Sequence, residues 1–208
     1  MGGVDKVFAP LGGKPVLARV IAAFDRCEQV NQIVVVVSRK NLEKCRELIA
    51  DEGWSKPIEV CAGGRRRQDS VAAGLSRLNC DWVVIHDGAR PLVTADLIER
   101  GLKAAKETGA AVAAVPVTDT IKLAESDRIV HQTPPRQNLW AVQTPQVFRY
   151  GLISEAYRKT KEEVTDDASL VERLGYKVKL YMGAYDNIKI TTPDDLALAE
   201  LLLKKHGK

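Results

Sequence analysis

The sequence predicts a Rossmann-like α/β fold: an open, mostly parallel twisted sheet with helices on both faces and an inserted antiparallel arm. Three observations predict it. Helical stripes alternate with short aliphatic runs over residues 16–115, the βαβ rhythm of parallel strands joined by right-handed crossovers. The aliphatic run Ile33 to Val37 is continuous rather than alternating, as a strand covered on both faces requires. The rhythm then breaks over 117–147, where short strand-like pieces surround Pro134-Pro135.

Taken in order, residues 16–27 place Val16, Leu17, Val20, Ile21 and Phe24 on one helical stripe. Residues 33–37 follow as a strand, and 41–51 as a helix with Leu42, Cys45, Leu48 and Ile49 on one side. Residues 58–61 form a short strand that ends in Gly63-Gly64, with a helix over about 68–78. A buried strand over 82–85 ends in His86-Asp87. A helix over 95–107 and a strand over 110–115 complete the regular part. Beyond the arm, a helix is expected near 151–161, and a second begins at Thr165-Asp166-Asp167, side chains suited to a helix N-terminus. Strands are expected over 178–182 and 188–190. Thr192-Pro193-Asp194-Asp195 opens a last helix, and 204–208 reads as a frayed basic tail. There is no repeat, low-complexity tract or linker, so residues 1–208 read as one domain with an arm at about 117–147.

Composition narrows the class. The 208 residues are 45% hydrophobic and 28% charged, and 31 Lys and Arg against 27 Asp and Glu leave a net charge of +4. That balance suits a soluble globular protein, and the surplus is too small to predict nucleic-acid binding. The Arg65-Arg66-Arg67 cluster has no aromatic interleaving, which also argues against it. No apolar run approaches the ~20 residues of a membrane span, and no secretory signal opens the chain. Cys27, Cys45, Cys61 and Cys80 form no CxxC pair. Reduced thiols in a cytoplasmic protein are expected rather than zinc or disulfides.

In open α/β sheets, ligands bind beyond the carboxyl ends of the strands, and four polar clusters fall at such positions. Gly63-Gly64-Arg65-Arg66-Arg67-Gln68-Asp69-Ser70 sits between a strand and a helix, where backbone N–H groups and guanidinium charge suit an anion. It is equally readable as a solvated basic turn. In His86-Asp87-Gly88-Ala89-Arg90-Pro91, a carboxylate directly after a buried strand can take Mg²⁺. A turn-capping Asp paired with Arg90 is the plainer alternative, and His86 reads as a structural, hydrogen-bonding histidine. The arm carries Thr120, Lys122, Arg136 and Thr144, and Asp186-Asn187-Ile188-Lys189 lies near the end. Cations recurring beside Asp suit nucleotide transfer, which needs positive charge around phosphate and a metal-binding carboxylate. No GxSxG, GxxxxGK[ST] or HExxH motif is present, so hydrolase and P-loop readings lose support.

The ordered set HDGARP (86–91), DTIK (119–122), LWAVQTPQVF (139–148), TDDAS (165–169) and DNIK (186–189) resembles the 2-C-methyl-D-erythritol 4-phosphate cytidylyltransferases over Lys6 to Leu203. Ribitol-phosphate cytidylyltransferases share the HDxxRP and QTPQ elements and are the alternative. DTIK and the Leu139-Trp140 pair favour the methylerythritol enzymes. The resemblance implies a cytoplasmic homodimer, dependent on Mg²⁺ or another divalent cation, that transfers the cytidylyl group of CTP to methylerythritol phosphate. It implies that Lys6 and Lys189 are catalytic, that Gly63, Arg67, Ser70 and Asp87 bind the nucleotide, and that Asp87 holds the metal. It assigns Asp87, Arg90, Thr120, Arg136, Thr144, Asp186 and Lys189 to the methylerythritol phosphate, some of them across the dimer from the partner's arm. Neither a membrane nor a nucleic acid is implied as a partner.

Members of that family begin with a buried strand and a glycine-rich loop, AAGxGxRM, that wraps the triphosphate. Here Met1-Gly2-Gly3-Val4-Asp5-Lys6 stands where that loop ends. The strand, most of the loop and its arginine therefore have no counterpart. A start assigned too late, with Met1 as the loop's own methionine, is the favoured expectation. A true short protein would leave neighbouring strand edges unpaired. The 208-residue form is expected to bind CTP weakly and turn over slowly, and a catalytically silent homologue is a further alternative.

Overall fold

The computed structural model describes residues 5–160, 162 and 164–205. Met1 to Val4, Lys161, Glu163 and the His206-Gly207-Lys208 tail lie outside the described residues. The described chain begins with a short 3₁₀ turn, Lys6–Phe8, and a hairpin of β1 (Pro10–Leu11) and β2 (Lys14–Pro15). Gly12 and Gly13 turn that hairpin at φ of 53° and 78°, angles that glycine adopts without steric cost. Then come α1 (Val16–Arg26), β3 (Ile33–Val37), α2 (Leu42–Ala50), β4 (Ile58–Ala62), α3 (Arg67–Leu75), β5 (Trp82–Ile85), α4 (Ala95–Thr108) and β6 (Ala110–Pro116). The arm carries β7 (Leu123–Ala124) and β8 (Val130–Gln132), and the chain finishes through β9 (Trp140–Arg149), α5 (Tyr150–Lys159), α6 (Asp167–Arg173), β10 (Lys179–Met182) and α7 (Pro193–Lys205).

The main sheet has the order β10-β6-β9-β5. β10 is parallel to β6, and β9 runs antiparallel between β6 and β5. β3 and β4 form a separate parallel pair. Alternation along β6 divides the core. Ala111 and Ala113 pack with α1 and α4 residues such as Phe24, Leu97 and Ile98, whereas Ala110 and Val112 pack with Ile153, Ala156, Leu170 and Val171 of α5 and α6. Small residues on β6 let α4 approach closely. A Cβ on Gly101 would lie 2.6 Å from the Tyr181 hydroxyl and 2.9 Å from Val147. Phe148 is fully buried on the other face, and burying such a ring contributes about 2–3 kcal/mol.

Two expectations change. The excursion expected over 117–147 divides: 117–139 stands off the sheet, while β9 enters it and Gln143 to Phe148 are buried. Period and composition did not separate arm from strand, because β9 interrupts its own ladder. Its register shifts opposite Val112 and Ala114, whose partners are Gln146 and Val142, so Gln143-Thr144-Pro145 bulge out of the pairing. The Thr144–Pro145 peptide is cis. The strand expected over 188–190 is absent. The Ile188 N–H closes a turn onto the Asp186 carbonyl, and Ile190 makes one bond to the Ala89 carbonyl instead of a ladder. Both isoleucines belong to the cluster under α7 and the β1–β2 hairpin.

β3 and β5 are not paired with each other among the described residues. Between them lies a cleft of about 800 Å³, walled by Val34, Val36 and Val84 of the strands, Leu17 and Phe24 of α1, and Val71 of α3. The carboxyl end of the cleft is formed by Ser70, Arg67, His86 and Asp87.

Candidate active site

The carboxyl ends of β4 and β5, the β9 bulge and the turn before α7 converge on one carboxylate. Asp87 follows β5 directly. Its Oδ2 is 3.0 Å from Lys189 Nζ and 3.6 Å from Arg90 Nε, and its Oδ1 is 3.7 Å from Arg67 Nε. Burial pushes the Asp87 carboxyl up, but Lys189, Arg67 and Arg90 outweigh that and hold it below the usual carboxylate range. Asp87 is therefore ionised at neutral pH.

Each cation is aimed by its own support. Arg67 opens α3 and donates through Nη2 to Asp167, 2.6 Å away, whose carboxylate is fully buried and also accepts from the Tyr157 hydroxyl at 2.5 Å. Burial alone would lower the Arg67 pKa, and the Asp167 bond reverses it. The same burial, with Asp167 beside it, pushes the Tyr157 hydroxyl up, so it stays a donor. Arg90 donates through Nη1 to the Asn187 carbonyl at 2.7 Å. Its Nε is buried with no hydrogen-bond partner among the described residues. Asn187 in turn donates to the Thr144 carbonyl at 2.8 Å and to Gln143 Oε1 at 3.2 Å. These bonds clamp the turn holding Asp186 to the β9 bulge and bring Lys189 onto Asp87.

The loop after β4 approaches α3 closely. A Cβ on Gly63 would sit 2.6 Å from Ser70 Oγ, and one on Gly64 would sit 2.3 Å from Asp69 Cβ. Ser70 Oγ accepts from the Gly64 N–H at 3.2 Å, and the Gly63 N–H is taken by the Val37 carbonyl at 2.8 Å. Any backbone contact from Gly63 to a ligand is therefore through its carbonyl. Of the three consecutive arginines, Arg66 pairs with Asp69 and Arg67 with Asp167, so the cluster is not a uniform basic patch.

Gly63, Arg67, Ser70, Asp87, Arg90, Thr144, Asp186 and Lys189 thus occupy one region. Lys6 stands at its edge, next to Val7, whose side chain lies against Gly88. Thr120 and Arg136 do not join it. Both are exposed on the arm, where Arg136 donates to the Thr118 carbonyl at 2.7 Å. Sequence reasoning missed Asp167, Tyr157, Gln143, Gln146 and Asn187. Gln146 bonds Asp166 Oδ2 at 2.8 Å and the Ala168 N–H at 3.1 Å, tying β9 to the start of α6. The TDD run carried the signal for Asp167: Asp166 caps α6 through the Ser169 N–H, which leaves the adjacent acid for another task.

Comparison with known proteins agrees with this geometry. The family model described as 2-C-methyl-D-erythritol 4-phosphate cytidylyltransferase matches residues 1–205. Relatives bearing that name include one from Dehalococcoides mccartyi, 53% identical over 99% of this chain and 91% of its own length, and one from Caldanaerobacter subterraneus, 50% identical over 97% and 92%. The crystal structure of a 4-diphosphocytidyl-2C-methyl-D-erythritol synthase from Anaerococcus prevotii superposes with a TM-score of 0.90 at 29% identity, covering 98% of this chain and 92% of that one. The cytidylyltransferase structure from Thermus thermophilus gives a TM-score of 0.80 at 36% identity over 96% and 93%.

Proposed function

This chain belongs to the 2-C-methyl-D-erythritol 4-phosphate cytidylyltransferase family, and from that premise we infer its reaction. It joins CTP and 2-C-methyl-D-erythritol 4-phosphate into CDP-methylerythritol, with release of pyrophosphate, in non-mevalonate isoprenoid biosynthesis. The observation that carries the reading is the ring of Lys189, Arg90 and Arg67 around Asp87 at the strand ends. Three cations gathered on a single carboxylate place positive charge where two polyanionic reactants would meet.

In this reading an oxygen of the methylerythritol phosphate bonds to the α-phosphorus of CTP, and the bond to the bridging oxygen of pyrophosphate breaks. The attacking phosphate is ionised at neutral pH, so no side chain needs to remove a proton. Positioning and charge stabilisation then supply the catalysis. Lys189 and Lys6 steady the charge developing at the α-phosphorus and on the leaving group. Arg90, whose guanidinium lies beside Asp87, and Asp186 wall the acceptor side. Gly63, Arg67 and Ser70 face the cytidine.

Asp87 fits a divalent cation such as Mg²⁺ as a single hard oxygen ligand. Among the described residues no group of three or more metal-ligating side chains occurs, so the phosphates and water would complete the shell. When bound, the ion would neutralise triphosphate charge.

Homodimerisation belongs to the same reading. Thr120 and Arg136 lie off the cluster of their own chain, and the arm and its base expose Ile129, Val130, Trp140 and Val142. Contact of Thr120 and Arg136 with a partner's acceptor site would account for both facts. No described helix is long and apolar enough to cross a membrane, and we place the enzyme in the cytoplasm, with its nucleotide substrate.

Phosphorus NMR tests the reaction directly. Protein expressed from its full reading frame, given CTP, Mg²⁺ and methylerythritol phosphate, is expected to form the CDP diester and pyrophosphate, and faster than with ribitol phosphate. Folded protein that forms neither product, or that prefers ribitol phosphate, would overturn the assignment.

A further inference from the structure

Four groups between the HDGARP turn and the β9 bulge have proton positions set by what each can do. His86 Nε2 lies 3.1 Å from the Arg90 carbonyl, which only accepts, so Nε2 carries a hydrogen. With the ring's one N–H on Nε2, Nδ1 is left as the acceptor. The Thr144 hydroxyl, 3.0 Å away, donates to it. The same hydroxyl oxygen accepts the Asp87 backbone N–H at 3.0 Å. The opposite tautomer would set the Nε2 lone pair against the carbonyl lone pairs of Arg90.

A threonine hydroxyl has one hydrogen to give, and here it goes to His86. It cannot also be donated to a phosphate oxygen, which accepts only. We propose that His86 and Thr144 are positioning residues for Asp87: the hydroxyl, oriented by His86, holds the Asp87 N–H and so aims its carboxylate at Lys189, Arg90 and Arg67. The family resemblance assigns Thr144 to contact with methylerythritol phosphate; here its hydrogen is already given to His86, and the proposal rests on the cytidylyltransferase reading above. The relay closes on itself, because Arg90 supplies both the carbonyl that fixes the His86 tautomer and a guanidinium beside Asp87.

Two independent readouts test it. Nitrogen NMR of histidine-labelled protein reports the tautomer without reference to activity, and the His86 signal is identified among the three histidines by its loss in a His86 variant. Neutral His86 protonated on Nε2 is expected, and an Nδ1–H form overturns the proposal.

The kinetic readout is the split between kcat and KM. Thr144→Val is expected to lower kcat roughly tenfold to a hundredfold, the range of a misplaced catalytic group, with the acceptor KM within about twofold. Thr144→Ser should recover most of the loss. His86→Leu should match Thr144→Val, His86→Asn should recover part through its amide oxygen, and the Thr144→Val/His86→Leu double variant should be no worse than either single one. A raised acceptor KM at unchanged kcat in Thr144→Val, or additive losses in the double variant, would overturn the proposal. If His86→Leu does not fold, the tautomer and the Thr144 pair still decide it. Wild-type protein with the expected tautomer but no transfer activity would instead contradict the assigned reaction.

Discussion

At the scale of single residues, the site is built from side chains that hold other side chains. Asp167 touches nothing on the reacting side, yet it anchors Arg67 and Tyr157 from a fully buried position. Asp167→Ala leaves the guanidinium of Arg67 without its strongest partner. It is expected to cost on the order of 3 kcal/mol, read as a drop in thermal midpoint, and to raise the KM for CTP. An unchanged midpoint would contradict the account. The thiols offer a second check. Burial pushes Cys45 up to about 11, and it raises Cys27, Cys61 and Cys80 as well. The thiolate is the reactive form, so labelling by a disulfide reagent should accelerate as pH rises. Cys80, the least enclosed, should react first, and Cys45 only on unfolding. Early labelling of Cys45 would count against its packing. The residues visible in the sequence, such as Asp87 and Lys189, were those whose charge stands beside a strand end or turn. The TDD run marks Asp167 as an acid left over from capping, but its partner Arg67 and the Arg90 partner of Asn187 were not legible, because they lie about a hundred positions away, a distance that no local pattern encodes.

At the scale of elements, the helices and the parallel strands were legible and the arm was only half so. α1, β3 and β5 fall where the apolar runs placed them, and α4 gains one residue before Gly109, which ends it at φ 85°. α7 begins as its sequence indicates: Asp195 accepts from the Thr192 N–H and donates its own N–H to the Thr192 hydroxyl. The β9 bulge escaped because Gln143-Thr144-Pro145-Gln146 reads as a loop. Its polar side chains are buried on partners from α6 and the Asn187 turn rather than in solvent. The proposed dimer belongs to this scale. Val130→Asp, on the exposed arm, is expected to shift the protein from dimer to monomer in analytical ultracentrifugation and to cut turnover at least tenfold, by the loss of positioning contacts. A monomer that keeps full activity would contradict a site shared between two chains.

For the whole molecule, the β3–β4 pair and the four-stranded sheet meet across an apolar cleft that opens onto Asp87. Strand edges unpaired among the described residues and half-buried valines are a stability liability. The cleft is expected to take up the dye ANS in the native protein, read as enhanced fluorescence that CTP lowers. Native protein that leaves the dye dark would show that the cleft is closed in solution.

Lys189, held on Asp87 by the Asn187 turn, is the group proposed to stabilise the charge of cytidylyl transfer. Its pair with Asp87 is half exposed on the lysine side and adds little to folding, so catalysis can be tested apart from stability. The measurement is pyrophosphate release from CTP and methylerythritol phosphate, with Mg²⁺, by protein of the full reading frame and by its Lys189→Ala variant. Turnover is expected of the first and a kcat lowered about a hundredfold or more in the second, with the thermal midpoint nearly unchanged. Equal rates in the two proteins would contradict it.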